Sequence, residues 1–465
     1  MNNKYKVLAK DTIIFALGSL GSKVILFFLV PIYTNYLSTE EYGTADLVTT
    51  FVTLISPITA LSIEKAVIRF GMKNDEKKEN VILTAFIILL FSVVVTLILT
   101  PLISIYKPIA SWKLYLVILV VLTNITEVER SYLKVKNMNK AYSLIGILQT
   151  AVLAGTNILF LALLHKGIEG YLTANIIALV VCALVSMIVS NIHRDIRKGK
   201  YNRILLKRMV SFSAPLIISG IAWWIMHSSD KVMIEWMVGV SALGIYTAAT
   251  KIPSLINVIT VIFNQAWTIA SIRENETSKD DSFYAKTFDY YCTLLFGAGV
   301  VIISVVKPIM NIYVGVEFGA SWVYTPFLLV SAIFYAVSGF CGTLYAAIQK
   351  SINDMWTTLS ATLMNIVVNY IFIIKYDIWG AIIGTVSSVL MYSIVRIIDI
   401  KRYINFNIDI CRLIINAAIV IGLAASVTWE FYPTVISLAS ILIYIVVNIK
   451  YIGMVIKSVV KIIKR

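Results

Sequence analysis

Long apolar segments follow one another along almost the whole chain, and they limit its fold more than any other feature. A helix that crosses the hydrocarbon core of a bilayer needs about 20 predominantly apolar residues. Fourteen segments meet this requirement, and the pattern places their ends to within about 2–4 residues. We therefore predict an all-α polytopic membrane protein with fourteen transmembrane helices. The predicted spans are residues 12–34, 44–66, 82–105, 113–135, 143–164, 171–191, 211–232, 241–263, 289–309, 323–347, 357–374, 378–397, 409–428 and 434–454.

The amino-acid composition supports a membrane protein and excludes most soluble classes. Hydrophobic residues make up 59% of the chain and charged residues 14%, whereas an ordinary globular chain has about 45–50% and about 25%. The formal net charge is +15, but too little polar surface remains to spread these charges over a nucleic-acid-binding face. We therefore expect the lipid bilayer as a partner, and no nucleic acid.

The lysine and arginine residues are divided very unequally between the two ends of the predicted helices. When the N-terminus is placed inside and cations near span ends are assigned to the adjoining segments, 31 of the 40 cations fall on the inside and 5 on the outside. Four cations, Lys23, Lys65, Lys231 and Lys251, remain within the spans. Cytoplasmic loops of membrane proteins carry an excess of Lys and Arg. The sequence therefore predicts that both termini are cytoplasmic.

A weak internal repeat divides most of the chain into two similar halves. The longest basic linker, residues 191–208, separates predicted helices 1–6 from helices 7–12, and a shift of about 201 residues aligns Gly43 with Gly244. Because each half has six helices, a pseudo-two-fold axis along the membrane normal should relate the two lobes. Pro57 and Pro253 fall in the second helix of each half and suggest a bend there. The predicted domains are 1–198 (N-lobe), 199–402 (C-lobe) and 403–465 (helices 13–14 and a basic tail).

Two lysines lie near the middle of predicted spans, where a charge is costly. Lys23 is about eleven residues into helix 1 and Lys251 about ten residues into helix 8, so each should lie near the bilayer midplane. An ionisable residue at that depth normally faces a cavity or a partner. One interpretation is a pair of cations, one from each lobe, that attract an anionic substrate into a central cavity. The alternative is that each lysine extends to the membrane surface or neutralises Asp11, Asp46 or Asp230.

Further charged residues lie near the predicted helix ends. Glu64–Lys65 and Asp230–Lys231 are adjacent pairs, and neighbours on a helix do not face each other. Each pair can therefore direct one charge to a cavity and the other to an interface; the alternatives are solvated helix ends or salt bridges between the lobes. Four charged residues lie at the predicted cytoplasmic edge, where a gate would also lie: Arg69, Glu127, Glu129 and Arg130. The candidate substrate-binding cations are thus Lys23, Lys251, Lys231, Lys65 and Arg69, and the candidates for ion coupling or gating are Asp46, Glu64, Asp230 and Glu127.

No pattern in the sequence indicates an enzyme, a metal site or a bound cofactor. The three histidines have no carboxylate or cysteine neighbours at ligand spacing, and the four cysteines lie far apart. The phosphate-binding pattern GxxxxGK(S/T), which an ATP-driven pump would need, does not occur. The predicted outward loops are short, whereas a membrane polymerase or glycosyltransferase usually needs a larger external platform. We therefore predict transport without covalent chemistry.

Three segments resemble one family of membrane proteins. They are GSKVILFFLVPIYTNYLSTEEYGTADL (21–47), EKAVIRF (64–70) and SSDKVMIEWMVGVSALGIYTAATKIPSLINVITVIFNQAWTIASI (228–272). These segments resemble the polysaccharide-biosynthesis membrane proteins, the capsule and O-antigen oligosaccharide flippases. Their superfamily also contains multidrug and toxin extruders and the lipid II flippase. Lys23 and Lys251 match positions where the family often carries a cation, whereas Asp230 is followed by Lys where relatives often show Arg.

The resemblance implies a flippase of the bacterial inner (plasma) membrane, with two lobes that rock to give alternating access. The implied substrate is a polyprenyl-pyrophosphate-linked oligosaccharide repeat unit, which would move from the inner to the outer leaflet for surface polysaccharide assembly. A basic cavity would suit its pyrophosphate. The resemblance implies no cofactor and leaves coupling to a proton or sodium gradient open. Polysaccharide polymerase or assembly proteins are further expected partners.

The sequence is also compatible with other functions. A cation-coupled multidrug extruder would prefer acidic cavity residues, whereas the charges within the spans lean basic. A flippase for a lipid II-type cell-wall precursor fits the same residues. A non-transporting scaffold of the polysaccharide assembly complex would leave the mid-span lysines unexplained.

Overall fold

The described part of the chain is helical. The computed structural model describes residues 3–73, 76–277, 281–404 and 406–463, and no strand occurs in these ranges. Ile158–Leu163 is π-helical and Val316–Val323 is a 3-10 helix. The predicted all-α class is therefore confirmed. The α-helices are α1 (Asn3–Tyr36), α2 (Thr39–Thr59), α3 (Ile63–Gly71), α4 (Lys78–Ile105), α5 (Lys107–Ala110), α6 (Lys113–Val135), α7 (Asn139–Asn157), α8 (Gly167–Ser190), α9 (Ile192–Lys198), α10 (Arg203–Met237), α11 (Val240–Ala249), α12 (Ser254–Thr277), α13 (Asp281–Tyr313), α14 (Thr325–Ala347), α15 (Ser351–Tyr376), α16 (Ile378–Ile400), α17 (Ile410–Thr428) and α18 (Pro433–Ile463).

The length and apolarity of the described helices do not confirm the predicted count of fourteen transmembrane helices. In the described ranges, ten helices are long and apolar enough, and two bent helix pairs raise the number to at most twelve. The apolar stretch found in α1 is the shorter segment Leu20–Tyr36. Helix α6 has Glu127, Glu129 and Arg130 close together in its second half. The polytopic membrane class is confirmed, whereas the count of fourteen is not.

Both prolines that suggest a bend lie at a bent helix pair. Helices α2 and α3 meet at 53°, and α11 and the start of α12 meet at 50°. Pro57 lies inside α2 near its end, and Leu61 and Ser62 follow with φ of 54° and 48°. These left-handed conformations are unfavourable for side-chain-bearing residues and interrupt the helix. Pro253 directly precedes α12 and has no N–H to donate to the preceding turn.

The contacts within the chain divide it into two compact units, residues 1–232 and 233–465, which we call the N-unit and the C-unit. The boundary lies inside α10. In the N-unit, α6 packs against α2, α3, α4 and α8, and α1 packs along α7. In the C-unit, α12, α13, α16 and α17 pack around α14. Helix α14 is the most buried of the candidate spans.

A compact apolar core fixes one end of the N-unit. It joins α3, α4, α6 and α9 to the first turns of α10. Ile63 and Val67 from α3, Ile82 from α4 and Leu205 and Met209 from α10 are all fully buried in it. Because these residues recur at helical spacing, one face of each helix is buried and the opposite face of α3 and α10 is left exposed.

Candidate functional site

A salt bridge between α10 and α2 joins two of the predicted site residues. The Nζ atom of Lys231 lies 2.8 Å from Oδ2 of Asp46 and donates a hydrogen bond of 3.0 Å to Oδ1. The two side chains are 24% and 12% exposed, so salt screens this pair less than it would a surface pair. Both residues belong to the N-unit. The salt bridge gives each charge an opposite partner within the predicted spans.

The positions of these residues on their helices explain the contact. Trp224 precedes Lys231 by about two turns of α10, and Thr50 follows Asp46 by about one turn of α2. Each pair therefore shares a helix face. The indole Nε1 of Trp224 donates a hydrogen bond of 2.9 Å to the backbone oxygen of Thr50. Because the order of the contacts is reversed along the two helices, α2 and α10 run antiparallel here.

The beginning of α2 is fixed by a capping box two turns before Asp46. Oγ of Ser38 accepts from the backbone N–H of Glu41 at 3.1 Å, and the Glu41 carboxylate accepts from the backbone N–H of Ser38 at 3.0 Å. The other carboxylate oxygen accepts from the backbone N–H of Ile168 at the start of α8. Gly167 has φ of +54°, and a Cβ there would collide with Glu41. These contacts hold α2 against α8 and so set the depth of Asp46.

Aromatic rings lie on either side of Asp46 along α2. Tyr42 is one turn before Asp46, and its ring centroid is 6.0 Å from that of Tyr33. Phe51 is about one turn after Asp46, and its ring is 6.3 Å from that of Trp224. The aromatic residues around the salt bridge are Tyr33, Tyr42, Phe51, Tyr106, Tyr171 and Trp224. The site therefore combines one cation, one carboxylate and several aromatic faces.

The two mid-span lysines lie in different units. Lys23 is partly exposed on α1, and among the side chains that the structure describes none forms a hydrogen bond or ion pair with it. Lys251 is partly buried and lies in the break between α11 and α12, where its backbone oxygen accepts a hydrogen bond of 2.6 Å from Ser254. A cavity shared by Lys23 and Lys251 stays a prediction.

The predicted site residues of α3 lie apart from the salt bridge. Lys65 is exposed and Glu64 is partly buried. Arg69 is exposed at the end of α3, and its guanidinium carbon lies 5.0 Å from the ring centroid of Phe212. Arg69 lines an open pocket with residues of α10, and none of the other candidate cations lines that pocket.

The remaining two candidates differ in their surroundings. Asp230 is partly buried and directly precedes Lys231 on α10. Glu127 is 54% exposed, and its carboxylate is 4.0 Å from the guanidinium of Arg130 one turn later. An exposed pair at that distance contributes little to stability.

Two buried arginines in the C-unit are not among the candidate site residues predicted from the sequence. Arg396 is 3% exposed and forms an ion pair with Asp354. Its Nε donates a hydrogen bond of 3.1 Å to Thr357. Arg412 is 6% exposed and lies 2.5 Å from Asp289, joining α17 to α13. In the sequence, each arginine lies next to an apolar run, and its aspartate partner lies near the end of another apolar run. This pattern is the signal by which the two ion pairs could have been found.

Helix α6 contains a buried carboxylate. Glu129 is 2% exposed, and its Oε2 atom has no hydrogen-bond partner among the described residues. In the described ranges no group of three or more His, Cys, Asp or Glu residues could hold a metal ion.

Comparison with known proteins identifies the family and the fold. A family model described as "Polysaccharide biosynthesis protein" matches residues 8–269, and no curated protein matches the chain. The lipid II flippase MurJ in an inward closed conformation has a TM-score of 0.71 at 16% identity, over 95% of this chain and 100% of that one. An inward-facing multidrug resistance MATE family transporter of the MOP superfamily has a TM-score of 0.66 at 17% identity, over 82% and 95%. A MOP superfamily transporter from Pyrococcus furiosus has a TM-score of 0.55 at 16% identity, over 84% and 96%. These structural similarities show that the chain shares the fold of these proteins.

Proposed function

Because this chain belongs to the polysaccharide biosynthesis protein family, we propose that it is a flippase for a lipid-linked oligosaccharide. It moves a polyprenyl-pyrophosphate-linked repeat unit from the inner to the outer leaflet of the bacterial plasma membrane, and the two lobes alternate access to the site. The fold that the chain shares with MurJ and MATE transporters supports transport and not covalent chemistry.

The observation that carries this proposal is the partly buried Lys231–Asp46 salt bridge. The ammonium group of Lys231 is a point charge suited to phosphate oxygens. Asp46 neutralises this ammonium at a distance of 2.8 Å. A pyrophosphate carries more negative charge than one carboxylate and competes with Asp46 for Lys231. Asp46 therefore keeps the cation in position until the substrate arrives.

The aromatic rings beside the salt bridge suit the sugar part of the substrate. Sugar rings present apolar C–H faces, and these faces pack on aromatic rings, whose faces carry negative charge density. Trp224 is held by its hydrogen bond to Thr50, and Phe51 lies against both Trp224 and Tyr106. A sugar next to the pyrophosphate would therefore meet a surface whose orientation is already set.

Coupling to an ion gradient follows from the same competition. When pyrophosphate takes Lys231, Asp46 is left in a partly buried position without its cation. A partly buried carboxylate that loses this cation is destabilised unless it gains a proton or another cation. Asp46 therefore becomes the point at which a proton or a sodium ion enters the cycle.

The test uses a host from which the gene has been deleted and which carries plasmid copies of the variants. Lys231→Ala should lower surface polysaccharide at least about tenfold, the value expected from one lost charged contact, and should cause a lipid-linked glycan to accumulate on the cytoplasmic face. Lys286→Ala removes an exposed lysine whose one hydrogen bond among the described residues is to Ser282. The Lys286→Ala variant should export normally.

A charge exchange separates a functional role from a structural one. Asp46→Lys combined with Lys231→Asp keeps an ion pair between α2 and α10 but moves the cation to the other helix. This variant should insert and purify like the parent and still fail to export. Normal export by both Lys231→Ala and the exchange variant would refute the proposed role of Lys231.

A flippase for a lipid II-type precursor is the second candidate. The share of the chain that is covered favours it, since the likeness to MurJ extends over 95% of the chain and the likeness to the inward-facing MATE family transporter over 82%. The two candidates differ in what accumulates when the protein is depleted. A repeat-unit glycan on the lipid carrier supports the first, and a cell-wall precursor with arrested growth supports the second.

A further inference from the structure

An open basic pocket lies between the end of α3 and the first turns of α10. Its volume is about 750 Å³. Five of the described residues that line it are cations and none is acidic; the cations are Arg69, Lys73, Arg203, Lys207 and Arg208. All five side chains are exposed. Like charges at helical neighbour positions repel each other, so this arrangement gains stability when an anion binds.

Two arginines of the pocket are held by aromatic rings of the opposite helix. Arg69 on α3 lies over Phe212 on α10 at 5.0 Å, and Arg208 on α10 lies over Phe70 on α3 at 5.3 Å. The rings of Phe70 and Phe212 contact each other edge to face at 6.0 Å. This reciprocal stacking orients both guanidinium groups before any ligand is present.

Among the described residues, one carboxylate pairs with a cation of the pocket. Glu76 accepts a hydrogen bond of 2.8 Å from Nη1 of Arg208. One carboxylate neutralises only part of the charge of five cations. The other four cations have no ion-pair partner among the described residues, so their N–H groups are available to a ligand.

The position of the pocket points to a lipid headgroup. Helix α3 ends at Gly71 and α10 begins at Arg203, so the pocket lies where apolar spans give way to polar linkers, at headgroup depth. Ile204 lines the pocket and is 71% exposed, which provides an apolar surface beside the cations. A free inorganic ion would make no use of that surface.

We propose that this pocket binds the phosphate group of an anionic membrane lipid. The arginines bind phosphate oxygens through paired N–H groups, Arg203 and Lys207 add charge from one face of α10, and the lipid chain lies along Ile204. A bound headgroup connects α3 to the start of α10. The proposal goes beyond the proposed function, because it does not depend on which substrate is transported.

The test is a lipid titration of the purified full chain followed by native mass spectrometry. The parent protein should bind dioleoyl-phosphatidylglycerol saturably and dioleoyl-phosphatidylcholine at least about tenfold more weakly. Arg203→Gln combined with Lys207→Gln should lower the affinity for phosphatidylglycerol about tenfold or more, since each lost charged contact with phosphate accounts for about that factor. Neither side chain forms a hydrogen bond, an ion pair or a ring contact with another described residue, so the variant should fold normally.

The matched control is Lys401→Gln combined with Arg402→Gln, which removes two exposed cations outside the pocket. It should keep the parent's affinity within about twofold. An equal loss in both double variants would mean that phosphatidylglycerol binds through diffuse charge, and this would overturn the proposal. Equal affinity for the two lipids would overturn it as well.

Competition identifies the source of the phosphate. Farnesyl diphosphate represents a polyprenyl diphosphate, and inorganic diphosphate represents the free ion. Displacement of phosphatidylglycerol by farnesyl diphosphate at lower concentration than by inorganic diphosphate supports a lipid site. Whichever of phosphatidylglycerol and farnesyl diphosphate binds more tightly is then the class of lipid that provides the phosphate. Equal displacement by the free ion would overturn the lipid assignment.

Discussion

Asp46 and Lys231 form a partly buried salt bridge that joins α2 to α10. Removing one member leaves the other charge partly buried. Asp46→Ala and Lys231→Ala should each lower the free energy of unfolding by about 1–3 kcal/mol. The double variant should lose less free energy of unfolding than the two single variants lose in sum. Denaturant unfolding of the detergent-purified variants measures all three values.

The control for this cycle is Glu127→Ala. Glu127 is 54% exposed and 4.0 Å from Arg130, so its removal should change the free energy of unfolding by less than about 0.5 kcal/mol. If the double variant loses as much free energy of unfolding as the two single variants lose in sum, Asp46 and Lys231 do not stabilise each other and the pair has no energetic role.

Lys23 and Lys251 are the residues for which charge reversal is most informative. If each faces an anionic substrate, Lys23→Glu or Lys251→Glu should abolish export while leaving membrane insertion intact. The conservative changes to Arg should reduce export much less. Surface polysaccharide and the amount of protein in the membrane fraction are the two measurements. Unchanged surface polysaccharide in both reversals would remove these lysines from the site.

The sequence could predict these residues singly but could not predict the pair. Lys231 and Asp46 are 185 residues apart, and which acid meets which base depends on how α2 and α10 pack. The same reason explains why Arg396 and Arg412 could not be predicted as buried ion pairs. Their burial depends on Asp354 and Asp289 in other helices, and the hydropathy of a single segment contains no information on that.

The break between α2 and α3 is a feature of the element scale. Ser62 is fully buried with φ of 48°, and its hydroxyl has no hydrogen-bond partner among the described residues. Ser62→Gly should raise the free energy of unfolding by about 0.5–1 kcal/mol, because glycine adopts this conformation without strain and no hydroxyl remains unpaired. Ser62→Val should lower it by at least about 1 kcal/mol. Thermal unfolding in detergent measures both.

A loss of stability in Ser62→Gly would contradict this account of the break. It would mean that the hydroxyl makes a contact important enough to outweigh the backbone strain. Ala60→Gly, one residue before the left-handed pair, is the control, because its φ of −86° gives glycine no advantage.

At the element scale the apolar segments predicted most of the helices. Each predicted span falls on a helix or a bent pair, and the bends lie at Pro57 and Pro253 as the sequence suggested. Composition could not settle the count, because α6 combines an apolar first half with Glu127, Glu129 and Arg130. The π-helical stretch Ile158–Leu163 carries no proline or glycine and left no signal in the sequence.

At the scale of the whole molecule, the division of the cations predicts the orientation in the membrane. A fluorescent protein fused after the C-terminus should fluoresce, because it folds in the cytoplasm, and alkaline phosphatase fused there should be inactive. When the same fusions are placed in the 3-10 segment Val316–Val323, on the predicted outer side, the fluorescent protein should not fluoresce and alkaline phosphatase should be active. The reverse result at the C-terminus would contradict the predicted cytoplasmic location of that end.

Helix α14 has a consequence for the order in which the molecule is made. It is the most buried candidate span, and two of the helices that cover it, α16 and α17, follow it in the chain. During synthesis α14 therefore enters the bilayer before these partners exist, and lipid must occupy the faces that they later cover. The same apolar side chains act first as an insertion signal and then as a protein core. The C-unit can thus close only after α17 has left the ribosome, and the lipid around α14 has to leave at that moment.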